Sequence, residues 1–142
     1  MKNGGPYRNI YDLIMEHSTN SYNKRKLENA TACKMGHNPN CGDEIKLEIK
    51  INGDIIEDLA FTGHGCAISQ ASTSIMIDTL RGKTIKEAKE IVKTFIEMIK
   101  RETTSEAELK KLEDAIALKN ISNMPARVKC ALLAWHTIEE MI

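Results

Sequence analysis

The stretch EIKLEIKING, residues 44–53, decides the fold of this 142-residue chain. Isoleucine and leucine alternate strictly with glutamate and lysine from 44 to 51, the pattern of a strand with one buried and one wet face. Asn52-Gly53 is the strongest short-range signal for a hairpin turn. The return strand is predicted from about Asp54 to Thr62, and its less regular alternation is compatible with a bulge.

The predicted hairpin brings two chemically active stretches to one edge of the sheet. Cys41-Gly42-Asp43 precedes the first strand, and Gly63-His64-Gly65-Cys66 follows the second. Because the start of one antiparallel strand lies beside the end of its partner, we expect Cys41 and Asp43 to lie beside Cys66. Thiolates and carboxylates both bind metals, so this edge is a candidate metal site.

Cys66 also falls where the second strand leads into a helix, which is predicted from Ala67 to Leu80. The unpaired N–H groups at a helix N-terminus favour the thiolate, which is the form that binds metal or attacks sulfur. His64 stays an alternative ligand. His37 lies in a loop predicted from Gly36 to Asn40, and we expect it to be solvated.

Helical patterns account for most of the remaining chain. A helix is predicted over residues 7–17, followed by a loop over 18–26. Two capping boxes, beginning at Thr84 and Ser105, each open a helix with an apolar stripe. Asn123-Met124-Pro125 begins the last helix, which carries Cys130 near its start. Cys130 joins the site only if that helix packs with this end at the same edge of the sheet.

The composition excludes several functional classes. Twenty basic and twenty acidic residues cancel, and aromatic residues make up 4% of the chain, so we expect no nucleic-acid partner. No apolar run is long enough to span a bilayer, and the start, Met1 to Pro6, lacks the apolar segment of a signal peptide. We therefore expect a single cytoplasmic domain over residues 1–142, with no membrane partner.

The four cysteines, at positions 33, 41, 66 and 130, contain no CxxC pair. In a reducing compartment this wide spacing favours metal or thiol chemistry over disulfides. We expect Cys33 to be a small buried side chain of a short strand over residues 29–35. The other three thiolates and the Asp43 carboxylate suit tetrahedral zinc, and thiolates also suit iron–sulfur clusters. The plain alternative is three unrelated buried cysteines.

Three segments together resemble the signature of the IscU/NifU/SufU family, whose members act in iron–sulfur cluster biogenesis. They are NPNCGD at 38–43, GHGCAISQAS at 63–72 and ARVKCALLAW at 126–135. The resemblance runs from about Tyr7 to the C-terminus, in the family order. It implies an α+β sandwich of the SufE/NifU-like type, in which helices pack on one side of a three-stranded antiparallel sheet.

Two features resemble the SufU branch of this family. IscU scaffolds have a histidine immediately before the last cysteine, where this chain has Lys129. The region from about 84 to 118 holds two helical patterns and resembles the helical insertion of SufU-like proteins.

The SufU resemblance implies a zinc ion held by Cys41, Asp43, Cys66 and Cys130. It also implies a sulfurtransferase-like acceptor for a PLP-dependent cysteine desulfurase of the SufS type, with Cys41 as the nucleophile that takes the persulfide sulfur. A downstream Suf scaffold or apo iron–sulfur proteins would receive that sulfur, and Arg127 would contact the desulfurase. Two alternatives stay open, namely an IscU-type scaffold that assembles a [2Fe–2S] cluster or binds iron, and a purely structural zinc domain.

Overall fold

The computed structural model of the chain describes residues 10–19, 22–39, 42–102 and 105–142. Within them, three antiparallel strands form one sheet in the order β1 (Ala32–Asn38), β2 (Asp43–Asn52) and β3 (Ile55–His64). Helices pack against one face of this sheet, which confirms the predicted α+β class.

The helices of the described residues are α1 (Ile10–Thr19), α2 (Ala67–Leu80), α3 (Ile85–Ile99), α4 (Glu106–Leu109) and α5 (Pro125–Glu139). A 3-10 segment, Lys110–Asn123, connects α4 to α5. A membrane-spanning helix needs a longer apolar run than any of these described helices provides.

The β2–β3 hairpin forms at the predicted turn. Asn52 pairs with Ile55, so the loop has two residues, and Gly53 takes a φ of +66° that glycine adopts without steric cost. The register shifts between Lys50 and Ile51, which is the irregularity that the weaker alternation of the return strand predicts.

The apolar face of β2 lies at the centre of the core. Ile45, Leu47 and Ile49 are fully buried and belong to one apolar cluster with side chains of the helices. Burying a side chain of this size contributes about 2 kcal/mol to folding. Because side chains alternate along a strand, this burial fixes which face of the sheet meets the helices and which carries the charged row.

Strand β1 differs from the prediction in its length and in which of its side chains are exposed. It continues through 36–38, part of the predicted loop, rather than ending at residue 35. Cys33 pairs with Glu48, whose side chain belongs to the charged row of β2, and the thiol is exposed. The expected burial of Cys33 is therefore wrong, because pairing with β2 places this position on the wet face.

The second predicted capping box does not form. Ser105 is the N-cap of α4, but its side chain makes no cap hydrogen bond, and the α-helix lasts only four residues. The following 3-10 segment is interrupted at Glu113, where φ is 54°. Leu109 and Leu112 are nevertheless buried, so the apolar stripe is in place although the helix is irregular. That residues 84–118 are an insertion relative to IscU scaffolds stays a prediction.

Buried polar groups hold α1 and the segment after it on α2. The predicted helix 7–17 is described from Ile10 onwards and extends to Thr19. His17 Nδ1 lies 2.7 Å from Ser74 Oγ, and the Asn23 side-chain amide donates to the same hydroxyl at 3.1 Å. His17 therefore has a structural role in the fold.

Two arginines converge on Asp58 where the segment after α1, β3 and the end of α2 meet. Arg25 and Arg81 each donate to one carboxylate oxygen of Asp58 at 2.9 Å. Burial by itself raises the pKa of Asp58, but the hydrogen bonds from Arg25, Arg81 and the Leu59 backbone N–H together hold it below its ordinary value.

We expect Asp58→Asn to lower the free energy of unfolding at pH 7 by about 1–2 kcal/mol, because both arginines lose a charged partner. A carboxyl whose pKa is lower in the folded state stabilises the fold above its unfolded value, about 3.9, and this contribution disappears as pH falls through the folded value. Urea unfolding of both proteins checks this: the difference between them should shrink below about pH 4. An equal difference at pH 7 and pH 3 would instead indicate a packing effect.

Candidate metal centre

Asp43, Cys66 and Cys130 meet at one end of the sheet. One ligand atom from each, a carboxylate oxygen or a sulfur, lies within 4.8 Å of the other two. Asp43 begins β2, Cys66 follows β3, and Cys130 lies in the second turn of α5. The hairpin thus places Asp43 beside Cys66, as the sequence predicts, and α5 presents Cys130 at the same edge.

Asp43 is fully buried and has one satisfied and one unsatisfied oxygen. Its Oδ1 accepts the backbone N–H of Cys66 at 2.9 Å. Within the described residues its Oδ2 has no hydrogen-bond partner. A buried carboxylate oxygen without a donor is unfavourable, and a cation beside the two sulfurs would satisfy it. This donor set therefore fits a bound metal ion.

Cys66 caps the N-terminus of α2. Its backbone is extended, with φ −69° and ψ 166°, and its Sγ accepts the N–H of Ser69 at 3.4 Å. The predicted position of this thiol at a helix N-terminus is confirmed. Cys66 as a whole is only partly buried.

The glycines on both sides of His64 allow the strands and the site to approach closely. A Cβ on Gly63 would lie 2.1 Å from the Glu44 carbonyl oxygen, and the φ of Gly63 is +121°. A Cβ on Gly65 would lie 2.6 Å from Asp43 Oδ1. Both distances are too short for a real contact, so larger residues here would displace β2 or the Asp43 carboxylate.

Contacts between helices set the position of Cys130. The Ser72 hydroxyl of α2 donates to the Ala131 carbonyl at 2.6 Å and accepts from the Trp135 indole N–H at 2.9 Å. The Trp135 ring stacks on Phe95 of α3, with centroids 3.8 Å apart. These buried contacts hold α5 against α2 and α3, and they thereby place Cys130 at the edge of the sheet.

Cys41, the fourth predicted ligand, lies outside the described residues. The ends of the β1–β2 connection that contains it are described. Asn38 pairs with Asp43, and the Gly42 N–H donates to the Asn38 carbonyl at 3.0 Å. The connection therefore begins and ends at the edge where the three other candidate ligands meet.

The histidines considered as ligands lie on the wet face of the sheet. His37 of β1 and His64 of β3 both pair with Glu44 of β2, and His64 Nε2 is 3.9 Å from the Glu44 carboxylate. The three-residue cluster of the described chain contains neither histidine. Arg127, the proposed contact for a partner, is exposed in the first turn of α5.

The sequence did not predict that two residues, Gly65 and Ser69, shape the site. The glycines flanking His64 indicate an unusual backbone but not the approach of Asp43. Ser69 is 1% exposed, and its hydroxyl has no partner in the described part of the chain. The sequence does place Ser69 three residues after Cys66, in the first turn of the predicted helix, and this spacing indicates that the two residues lie close together.

Known proteins resemble this chain over most of its length. The family model of the NifU-like N-terminal domain matches residues 10–131. The zinc-dependent sulfurtransferase SufU of Bacillus subtilis is 41% identical over 90% of this chain and 85% of its own length. The iron–sulfur cluster assembly scaffold protein IscU of Thermotoga maritima is 35% identical over 92% of this chain and 90% of its own length.

A solved structure shares the fold over most of the chain. It is the crystal structure of a protein described as an iron–sulfur cluster assembly scaffold for the SUF system, from Fervidobacterium islandicum AW-1. Its TM-score is 0.82 at 42% sequence identity, and the match covers 92% of this chain and 95% of that one.

Proposed function

This chain belongs to the family of NifU-like N-terminal domains, and on that basis we propose that it acts in iron–sulfur cluster assembly as a zinc-dependent sulfur acceptor. The observation that supports this proposal is the cluster of Asp43, Cys66 and Cys130, in which the buried Oδ2 of Asp43 has no partner among the described residues. The zinc dependence of the Bacillus subtilis relative supports the choice of metal.

Asp43, Cys66 and Cys130 would hold the zinc ion, and Cys41 would complete a set of four from the β1–β2 connection. Three thiolates and one carboxylate suit the tetrahedral coordination that zinc prefers. Bound zinc would keep these sulfurs in the thiolate form at neutral pH. An oxygen ligand such as Asp43 is unusual in purely structural zinc sites, which favours a site that exchanges ligands.

The proposed reaction transfers one sulfur atom between cysteines. The partner is a PLP-dependent cysteine desulfurase of the SufS type that carries a persulfide on its own cysteine. The Cys41 thiolate attacks the outer sulfur, the S–S bond of the partner breaks, and the partner's cysteine leaves as a thiolate. Cys41 then carries the persulfide, and no external oxidant or reductant is consumed. A downstream scaffold or apo iron–sulfur proteins would take the sulfur in the same way.

The positions of Cys66 and Cys130 support Cys41 as the acceptor. Cys130 is 1% exposed, and Cys66 is held at the N-cap of α2. Pro39 and Gly42, close to Cys41 on either side along the chain, are both exposed. We also propose that Arg127, exposed one turn before Cys130, contacts the desulfurase.

The second candidate function is that of a scaffold on which a [2Fe–2S] cluster is assembled. The Thermotoga maritima relative carries the name of such a scaffold, and thiolates bind iron–sulfur clusters well. Lys129 argues against it, because this residue is exposed and stands where IscU scaffolds have a histidine. The sulfur acceptor therefore remains the better supported function.

Metal analysis of the protein as isolated tests the proposal. We expect about one zinc ion per chain, since the site has one set of ligands. Removing zinc with a chelator should abolish stimulation of a SufS-type desulfurase, and adding zinc back should restore it. A protein isolated without zinc, which forms a transferable cluster after reconstitution with iron and sulfide, would be a scaffold instead.

A further inference from the structure

Ser69 carries a buried hydroxyl that the proposed function does not yet use. The residue is 1% exposed, and its Oγ has no hydrogen-bond partner in the part of the chain that the structure describes. Buried hydroxyls are normally paired, because an unsatisfied one loses its bonds to water without replacement. The position therefore requires an explanation that the polypeptide contacts alone do not supply.

Neighbouring polar residues of α2 differ from Ser69 in this respect. The Ser72 hydroxyl donates to the Ala131 carbonyl, and the Thr73 hydroxyl donates to the Ser69 carbonyl. Ser74 Oγ bonds to His17 and to an asparagine amide. These hydroxyls are all bonded to other protein groups, whereas that of Ser69 has no such bond among the described residues.

The Ser69 hydroxyl lies next to the candidate metal ligands. Its own backbone N–H donates to Cys66 Sγ at 3.4 Å. A Cβ placed on Gly65 would lie 3.1 Å from Ser69 Oγ and 2.6 Å from Asp43 Oδ1. The serine hydroxyl and the Asp43 carboxylate therefore border the same small space, which exists because residue 65 has no side chain.

The two groups are chemically complementary. Three buried side-chain atoms of the described residues lack a partner, and two of them are Ser69 Oγ and Asp43 Oδ2. The Ser69 hydroxyl can donate a hydrogen bond, and the ionised Asp43 carboxylate can only accept one. Both groups border the space beside Gly65, where a Cβ would lie 3.1 Å from Ser69 Oγ and 2.6 Å from Asp43 Oδ1.

We propose that Ser69 is a positioning residue for the metal centre. When Asp43 binds the metal, the Ser69 hydroxyl donates a hydrogen bond to the Asp43 carboxylate and orients it. This inference rests on the proposed function, since it assumes that Asp43 is a ligand. Carboxylates that bind metals are commonly held by a further hydrogen bond, and losing that bond weakens metal binding.

Ser69→Ala tests the proposal through zinc affinity, measured by competition with a chelator, and through thermal unfolding of the zinc-free protein. We expect the affinity to fall by about 10- to 100-fold. The unfolding midpoint of the zinc-free protein should stay the same or rise, because the substitution removes an unsatisfied hydroxyl. A serine with only a structural role would lower that midpoint.

A double-mutant cycle shows whether Ser69 acts through Asp43. In the Asp43→Asn background, Ser69→Ala should change zinc affinity by less than about twofold. Ser74→Ala is the matched control, a buried serine of the same helix that is hydrogen-bonded in the fold. It should lower the unfolding midpoint and leave zinc affinity unchanged.

The outcomes separate the two proposals. If the wild-type protein binds zinc and Ser69→Ala binds it equally well, Ser69 has no positioning role and the proposed function stands. An equal loss of affinity in both Asp43 backgrounds would mean that Ser69 acts on another ligand, which also overturns the inference. A wild-type protein that binds no zinc contradicts the proposed function itself.

Discussion

Cys41→Ala is expected to abolish stimulation of a cysteine desulfurase, with a loss on the order of 100-fold or more, as is common when a nucleophile is removed. The remaining candidate ligands, Asp43, Cys66 and Cys130, are the three that the structure brings within 4.8 Å of one another. Three protein ligands are sufficient for zinc in catalytic sites, so the variant should still bind zinc, although more weakly. Desulfurase turnover and zinc content, measured on the same preparation, separate the two effects.

Cys33→Ala is the matched control for this prediction. Cys33 is an exposed thiol on β1, on the wet face of the sheet opposite Glu48. Its removal should leave both turnover and zinc content unchanged. Mass spectrometry after incubation with desulfurase and cysteine should find the added sulfur atom on the peptide that contains Cys41. Full stimulation by Cys41→Ala, or added sulfur on Cys33, would rule out Cys41 as the acceptor.

The contrast between β2 and β1 shows what local sequence can predict. In β2 the strict alternation defines the buried face, and Asn52-Gly53 defines the register of the hairpin. The proximity of Asp43 to Cys66 is therefore predictable from the local sequence. Strand β1, with the sequence ACKMGHN, has no alternation of its own. Pairing with β2 decides which side chains of β1 lie on the wet face of the sheet. The exposure of Cys33 is therefore not predictable from residues 29–35 alone.

Cys130 illustrates a second limit. Its place in the site depends on contacts between distant parts of the chain, namely the Ser72–Ala131 hydrogen bond and the stacking of Trp135 on Phe95. Helical periodicity does not identify the partners of Trp135. The residue pattern leaves the position of Cys130 open, and only the family resemblance implies that it is a metal ligand.

Asp43→Asn is expected to weaken zinc binding by about 100-fold or more. Zinc binding worth about 10–16 kcal/mol, shared among four ligands, amounts to about 3 kcal/mol for each. Asparagine keeps the oxygen that accepts the Cys66 N–H and replaces the unpartnered Oδ2 with a neutral amide nitrogen. The zinc-free protein should therefore keep its stability or gain about 1 kcal/mol, because the uncompensated charge of a buried carboxylate is removed.

Asp58→Asn is the control for this prediction, because it makes the same chemical change at a carboxylate that has hydrogen-bond partners in the fold. The Asp58 carboxylate is bonded to Arg25 and Arg81, so its loss should lower stability and leave zinc affinity unchanged. Urea unfolding of the zinc-free variants and chelator competition for zinc measure both quantities. If Asp43→Asn lowers stability as Asp58→Asn does and keeps wild-type zinc affinity, Asp43 only anchors the Cys66 backbone. A loss of stability in Asp58→Asn but not in Asp43→Asn, together with a loss of zinc affinity only in Asp43→Asn, would identify Asp43 as a residue retained for metal binding.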